Sequence, residues 1–248
     1  MNVVTIASNS WMPHVERFAQ LLRESTPDVK LYLLQLKSDQ EEDWKAPLGG
    51  PLSMCCAGVD YVSSSDPTNL LQYDILRASL LQRFGLREAL YMDPDVDVVG
   101  DLSELQDMHT DKALMLVKSP IAVPQVNEHI ETLADVRILD HVHYNIGTMY
   151  MRKLDNSYSY FQDIMQPLMT SVRFKAAEFM AGTALWNAML WPDLRGAWVE
   201  LPYEYGTLAN DVDALSKAKV IHFSGPNKQM RFCWNYDEFP NRIIMDLK

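Results

Sequence analysis

Apolar positions along the chain alternate between two periods, and the switches divide its first third into strand, helix and strand. NVVTIA, from Asn2 to Ala7, is a short run rich in β-branched residues, the composition of a strand. Val15, Phe18, Leu21 and Leu22 then recur at helical spacing up to the polar stretch RESTPD. KLYLLQL, from Lys30 to Leu36, is again an apolar run of strand length. That order predicts a βαβ unit, and near-continuous apolar strands belong to a parallel sheet covered on both faces.

The next stretch, Lys37 to Gly58, contains SDQEEDW and PLGGPL and shows no period. It predicts an insertion or a mobile loop, of the kind that forms lids beside sites. From Asn69 to Phe84, Leu76, Leu80 and Phe84 fall at four-residue steps with Leu71 and Ile75 beside them. This is an amphipathic helix closed by Gly85. EALYMD reads as the following strand. Further strands are predicted at Ala113–Lys118, Tyr144–Met151 and Ala218–Phe223, with a mixed segment over Gln125–Asp140. Helices are predicted over Tyr160–Met169, where Phe161, Ile164, Met165 and Leu168 align, and over Ala176–Met189. An irregular tail follows. With no repeat, low-complexity tract or linker, the 248 residues read as a single α/β domain.

Composition narrows the function. A 48% hydrophobic and 22% charged chain folds rather than staying disordered. A net charge of −11 disfavours broad binding to nucleic acid or anionic lipid, both of which require a basic surface. A phosphorylated substrate therefore needs a local cationic device. Cys55, Cys56 and Cys233 form neither an even disulfide framework nor a C-x-x-C pair, which fits a reducing compartment. The start MNVVTIASNSW lacks a charged leader, and no run approaches the ~20 apolar residues of a spanning helix. A cytoplasmic protein without a stable membrane anchor is expected.

The densest candidate chemistry lies in YMDPDVDVVGDL, from Tyr91 to Leu102. Asp93 and Asp95 follow a strand, where open α/β sheets place their ligand crevice. In an extended chain their carboxylates point to one side, about 7 Å apart. Such a pair suits a divalent cation completed by phosphate oxygens. An acidic turn that keeps a strand end soluble is the competing interpretation. Asp101, before LSEL, reads as a helix N-cap, and Asp97 fits either role.

NLLQYDILRASLLQRFG…ALYMDPDVDVVGDLSEL resembles the central motif of GT-A glycosyltransferases with a D-x-D metal site. Tyr91, Asp93, Asp95, Val98, Gly100, Asp101 and Leu102 match Y-L-D-A-D-x-x-V-x-G-D-L, the pattern of retaining family eight, which holds glycogenin and the bacterial lipopolysaccharide galactosyltransferases. The helix before it is similar to the S-D-x-x-R-x-x-x-L of family thirty-two through Asp74 and Arg77. VVTIASNSW resembles the family-eight first strand and uridine-binding turn at Ala7, with Ser8 and Ser10 in place of the usual Asp and Asn. YNIGTMYM resembles the N-x-G strand through Asn145 and Gly147. VIHFSGPNK matches H-x-x-G-x-x-K through His222, Gly225 and Lys228, without the usual Pro-Trp after the lysine.

The resemblance implies a GT-A fold, with a Rossmann-like, mixed but mostly parallel sheet flanked by helices. It implies a nucleotide-sugar-binding half at 1–118 and an acceptor-side half at 119–248. Asp93, Asp95 and His222 would hold Mn²⁺ or Mg²⁺. Ala7, Ser8, Ser10, Asp74, Arg77, Gly147, Gly225 and Lys228 would bind a nucleotide sugar, most simply a UDP-sugar. Asn145 and Asn187 would lie near the reacting carbon. The family's D-Q-x-x-L-N helix start is altered here: Gly182 and Thr183 stand at the acid and amide positions. Glu178, one turn earlier, either compensates or is a surface residue. The implied reaction is transfer of a sugar, with retention, to a hydroxyl. The tail NYDEFPNRIIMDLK is neither basic nor strongly aromatic, favouring a soluble acceptor: a saccharide, a protein side chain or a modified DNA base, the last disfavoured by charge. Two alternatives stay open, a sugar nucleotidyltransferase and a non-catalytic nucleotide-sugar-binding protein of the same fold.

Overall fold

The structure is a computed structural model. It describes residues 1–37, 55–61, 69–108, 112–120, 144–153, 183, 186–187, 198–224, 228, 231, 234–235 and 244–245, with backbone alone at 37, 55–61, 69–75, 198, 234–235 and 244–245. Strand β1 (Asn2–Ser8) leads into helix α1 (Met12–Ser25) and then β2 (Lys30–Lys37), and β1 and β2 pair in parallel as the pattern predicts. Every residue of β1 from Val3 to Ala7 is fully buried, the signature of a central strand covered on both faces. The one polar residue of that buried run, Thr5, donates its hydroxyl to the Met92 carbonyl at 2.7 Å, so it costs little to bury.

Helix α1 has Pro13 in its first turn, where a missing N–H costs nothing. It buries Met12, Val15, Phe18, Ala19 and Leu22. Strand β3 (Cys55–Tyr61) adds in parallel to β2 with a register shift between Leu33 and Gln35. This corrects the irregular-loop expectation for Cys55–Gly58: two adjacent cysteines and a glycine give no period, and backbone pairing to β2 makes the strand. The rest of that loop, 38–54, lies outside the described residues. Helix α2 (Asn69–Arg83) ends as predicted: Gly85 adopts φ +63°, and the Leu86 amide closes on the Leu81 carbonyl at 2.8 Å.

The remaining strands are β4 (Glu88–Met92), β5 (Val96–Val98), β6 (Leu114–Lys118), β7 (Tyr144–Arg152), β8 (Trp198–Leu201), β9 (Thr207–Leu208), β10 (Val220–His222), β11 (Trp234–Asn235) and β12 (Ile244–Met245). A seven-stranded sheet has the order β3-β2-β1-β4-β7-β6-β8. Only β7 runs against its neighbours. A small second sheet, β5-β10-β9, stands beyond the end of β4. Val3, Phe18, Leu90, Val96, Val98, Met115, Val117 and Val220 share one core that welds the two sheets. The tail is less irregular than expected, since β11 and β12 pair antiparallel. The mixed segment Gln125–Asp140 and the helix Tyr160–Met169 lie outside the described residues. Of the predicted helix Ala176–Met189, only Thr183, Trp186 and Asn187 are described, all helical.

Two of the four aspartates are structural. Asp97 is fully buried in β5. It receives Arg17 Nε at 3.0 Å and NH2 at 2.9 Å from α1, and Arg231 Nε at 2.5 Å. Asp101 accepts the Ser103 amide at 2.9 Å and hydroxyl at 2.6 Å at the start of a short 3-10 turn, Ser103–Gln106, one residue ahead of the N-cap itself. Gly100 is explained by space: a Cβ there would lie 2.9 Å from Lys219 Cγ and 3.1 Å from its Cα, so β5 meets the start of β10 only without a side chain. Asp97→Ala leaves the Arg231 guanidinium buried against an apolar gap. It is expected to lower the unfolding free energy by about 3–5 kcal/mol in urea titration, whereas Asp101→Ala, at the surface, changes it far less.

Candidate functional site

The site forms where β4 ends against β7 and β10. Strand β4 stops at Met92, and Pro94 and Asp95 make a turn before β5. The chain is therefore not extended through D-x-D, and the 7 Å expectation is corrected: ligand atoms of Asp93, Asp95 and His222 all lie within 4.8 Å of one another. Main-chain bonds hold this arrangement. The Asp93 amide donates to the Gly147 carbonyl at 2.8 Å, and the Phe223 amide donates to the Asp95 carbonyl at 3.0 Å.

Each side chain of the cluster has a support. Asp93 Oδ1 accepts Arg77 NH2 at 3.0 Å and also the Tyr91 hydroxyl, and the Arg77 guanidinium lies 4.5 Å from the centre of the Tyr91 ring. Arg77, expected to face a nucleotide sugar, donates to the Asp93 carboxylate. Asn145 Oδ1 accepts the Gly147 amide at 2.8 Å, which turns its Nδ2 onto His222 Nδ1 at 2.8 Å. Nε2 of His222 is thereby aimed at Asp95 Oδ1, 3.5 Å away. That is an ion-pair distance, too long for a well-formed hydrogen bond. Asp95 Oδ1 is buried without a hydrogen-bond partner.

Electrostatics follows from this geometry. Burial alone would raise the Asp95 carboxyl, but the His222 and Lys228 charges outweigh it and hold it below the usual carboxylate range. Burial opposes protonation of His222, yet Asp95 and then Asp93 raise its pKa. The Asn145 amide, donating to Nδ1, pulls the other way by favouring the neutral ring. Lys228 Nζ lies 2.9 Å from Asp95 Oδ2 and 4.7 Å above the Trp11 ring. His14, 4.7 Å from Trp11, is held below its ordinary value by burial and then by Arg231.

A buried carboxylate oxygen with no donor, a second carboxylate and an imidazole on converging strands fit a divalent cation with open positions for oxygen ligands. Gly147 belongs to this fit. A Cβ there would stand 2.5 Å from His222 Cε1, so the ring takes its place only against glycine.

Other expected residues sit as follows. Ala7 is buried against Met12, Val15 and Leu33 and pairs with Gln35 of β2. The Ser8 and Ser10 hydroxyls share a hydrogen bond of 2.9 Å at the end of β1. Asn187 Oδ1 accepts the Tyr144 amide at 2.6 Å, while Nδ2 donates to the Tyr144 carbonyl at 2.9 Å and the Thr183 carbonyl at 2.7 Å. Its amide braces the start of β7. The Asp74 side chain, Glu178, Gly182 and Gly225 lie outside the described residues. Arg231 was missed because it falls in the tail, where no motif was matched; the signal available was an arginine three residues after Lys228.

Solved structures share this architecture. The galactosyltransferase LgtC, solved with donor and acceptor sugar analogs, has a TM-score of 0.64 at 14% identity, over 91% of this chain and 88% of its own. The bifunctional glycosyltransferase WbbM has a TM-score of 0.62 at 12% identity, over 91% of this chain and 46% of its own. GlyE of Streptococcus pneumoniae TIGR4 has a TM-score of 0.59 at 14% identity, over 99% of this chain and 57% of its own. At such identities the likeness defines the fold, that of a GT-A glycosyltransferase in a single α/β domain. No curated protein sequence matches significantly. The family model for glycosyl transferase family 8 matches residues 61–236, more than half of the chain, and the chain belongs to that family. The nucleotidyltransferase alternative is thereby set aside. Among the described residues, no helix is long and apolar enough to cross a membrane.

Gly147→Ala, which displaces the His222 ring, and Asn145→Ala, which frees it, are each expected to weaken Mn²⁺ binding about 10–100-fold. Titration calorimetry with the protein alone measures this, and unchanged thermal unfolding would separate the effect from misfolding.

Proposed function

We propose that the enzyme transfers a sugar from a nucleotide diphosphate sugar, most simply a UDP-sugar, to a hydroxyl acceptor with retention, and that it depends on Mn²⁺ or Mg²⁺. The observation that carries this reading is the convergence of Asp93, Asp95 and His222, with Lys228 against Asp95. Cleaving the anomeric C–O bond builds positive charge on the sugar and negative charge on the leaving diphosphate. A divalent ion, when bound, supplies Lewis acidity to that diphosphate. Asp93, Asp95 and His222 would hold it, Arg77 and Tyr91 fix the Asp93 oxygen, and Asn145 fixes the ring. Lys228 brings a fixed ammonium to the place where negative charge appears, where preorganised charge lowers the barrier most.

The first half, 1–118, would bind the donor, with Ser8, Ser10 and the Ala7 backbone at the nucleotide end and Asp74 and Gly225 beside it. The second half would present the acceptor. Glu178 and Thr183 are the candidates for contact with the reacting carbon, and the bonding of Asn145 and Asn187 supports bracing roles for both. A saccharide acceptor is favoured over a DNA base by the net charge of −11. The count and spacing of the three cysteines favour a cytoplasmic setting.

Incubation with a panel of nucleotide sugars and Mn²⁺ is expected to release nucleoside diphosphate from one donor, and to stop when the ion is chelated. Lys228→Ala should slow that release by about 10²–10³-fold, and Asp95→Asn should abolish it. Tight donor binding with no release under any acceptor would refute the catalytic reading.

A further inference from the structure

Arg231 is fully buried, and no role assigned so far accounts for where its guanidinium points. Nε meets Asp97 Oδ1 at 2.5 Å, NH2 donates to the Val96 carbonyl at 2.6 Å, NH1 donates to the Pro94 carbonyl, and NH1 also meets His14 Nδ1 at 3.1 Å. Pro94 and Val96 are the residues on either side of Asp95. The guanidinium therefore grips the main chain of the D-x-D turn from below, with Asp97 as its counter-charge. Asp97 also has Arg17, so charge compensation alone does not require a second arginine; what Arg231 adds is the fork to two carbonyls.

Arg231 stands three residues after Lys228, and three residues span at most ~11 Å. Anchoring one therefore confines the other. Lys228 in turn sits on Asp95 and over Trp11, and Trp11 packs on His14, the residue Arg231 bonds. Lys228, Trp11, His14 and Arg231 thus close a ring beside Asp95. A lysine has flexible rotamers that cost free energy to order, and a tether of this kind reduces that cost. The sequence lacks the Pro-Trp that the family pattern places after this lysine, and Arg231, three residues on, is buried against the D-x-D turn.

We propose that Arg231 is a positioning residue which, by clamping the Pro94 and Val96 carbonyls, sets Lys228 at the charge of the D-x-D turn and so on the diphosphate of the donor. The last step rests on the donor class proposed above; the tether does not.

Binding of UDP and UMP in Mn²⁺ tests it, because only UDP carries the second phosphate that Lys228 would meet. Lys228→Met should lower the preference for UDP over UMP by about tenfold, and Arg231→Lys, which keeps the charge and loses the fork, should do the same. In the Lys228→Met background, Arg231→Lys should change the preference by less than about twofold. A wild-type preference in folded Arg231→Lys, or losses that add in the double variant, would overturn the proposal. If the wild type binds neither nucleotide, the donor reading fails, and the tether is tested without ligand by 5-fluorotryptophan NMR. There the Trp11 resonance, assigned with Trp11→Phe, should move alike in Lys228→Met and Arg231→Lys; a resonance left unmoved by Arg231→Lys overturns it. Should Arg231→Lys be recovered unfolded, Asp97→Asn carries the same expectations at smaller size, and an unmoved resonance and preference there count against the proposal.

Discussion

Two main-chain hydrogen bonds, Asp93 N–H to Gly147 C=O and Phe223 N–H to Asp95 C=O, are the constraint on which the site depends. They tie one tight turn to two strands far apart in sequence, β7 and β10. Carboxylates on a free acidic loop would repel and separate. Here the backbone is committed before the charges are considered, and the side chains converge because their strands do. Like charges are then eased by the Lys228 ammonium next to Asp95 and the Arg77 guanidinium at Asp93.

The same constraint explains two glycines. Gly100 permits β5 to approach Lys219, which seats β10 beside β5, and Gly147 gives the His222 ring its space. Each is a place where backbone or ring comes too near for a Cβ. Their matches to a family pattern therefore have a steric cause: fill either gap and the imidazole no longer meets the carboxylates.

Legibility in the sequence tracked how local the cause was. Strand β1, helix α1 and strand β2 were readable because burial imposes periods on apolar residues, and α2 ended at Gly85 because only a left-handed residue makes that cap. Strand β3 was not readable, since its pairing with β2 is a backbone event and Cys55, Cys56 and Gly58 carry no alternation. Strand β5 was hidden by Asp97, whose carboxylate is buried only because Arg17 and Arg231 come from opposite ends of the chain. The meeting of Asp93, Asp95 and His222 was legible through agreement of separate motifs in order, not through any one of them. The supports were illegible: that Arg77 serves Asp93, that Asn145 turns its nitrogen to His222, and that Asn187 braces Tyr144 are facts of register and distance.

The enzyme's charge is instructive as well. On the proposed function, a chain at −11 would attract a diphosphate only where positive charge is concentrated, and Lys228 beside Asp95, with a cation between Asp93, Asp95 and His222, would concentrate it. Diffraction at the manganese absorption edge from crystals grown with Mn²⁺ and UDP is the most direct measurement of this. One anomalous peak lying ~2–2.6 Å from oxygens of Asp93 and Asp95 and from a nitrogen of His222, with the diphosphate on its open side, is predicted. A bound UDP with no manganese at those three residues would contradict it.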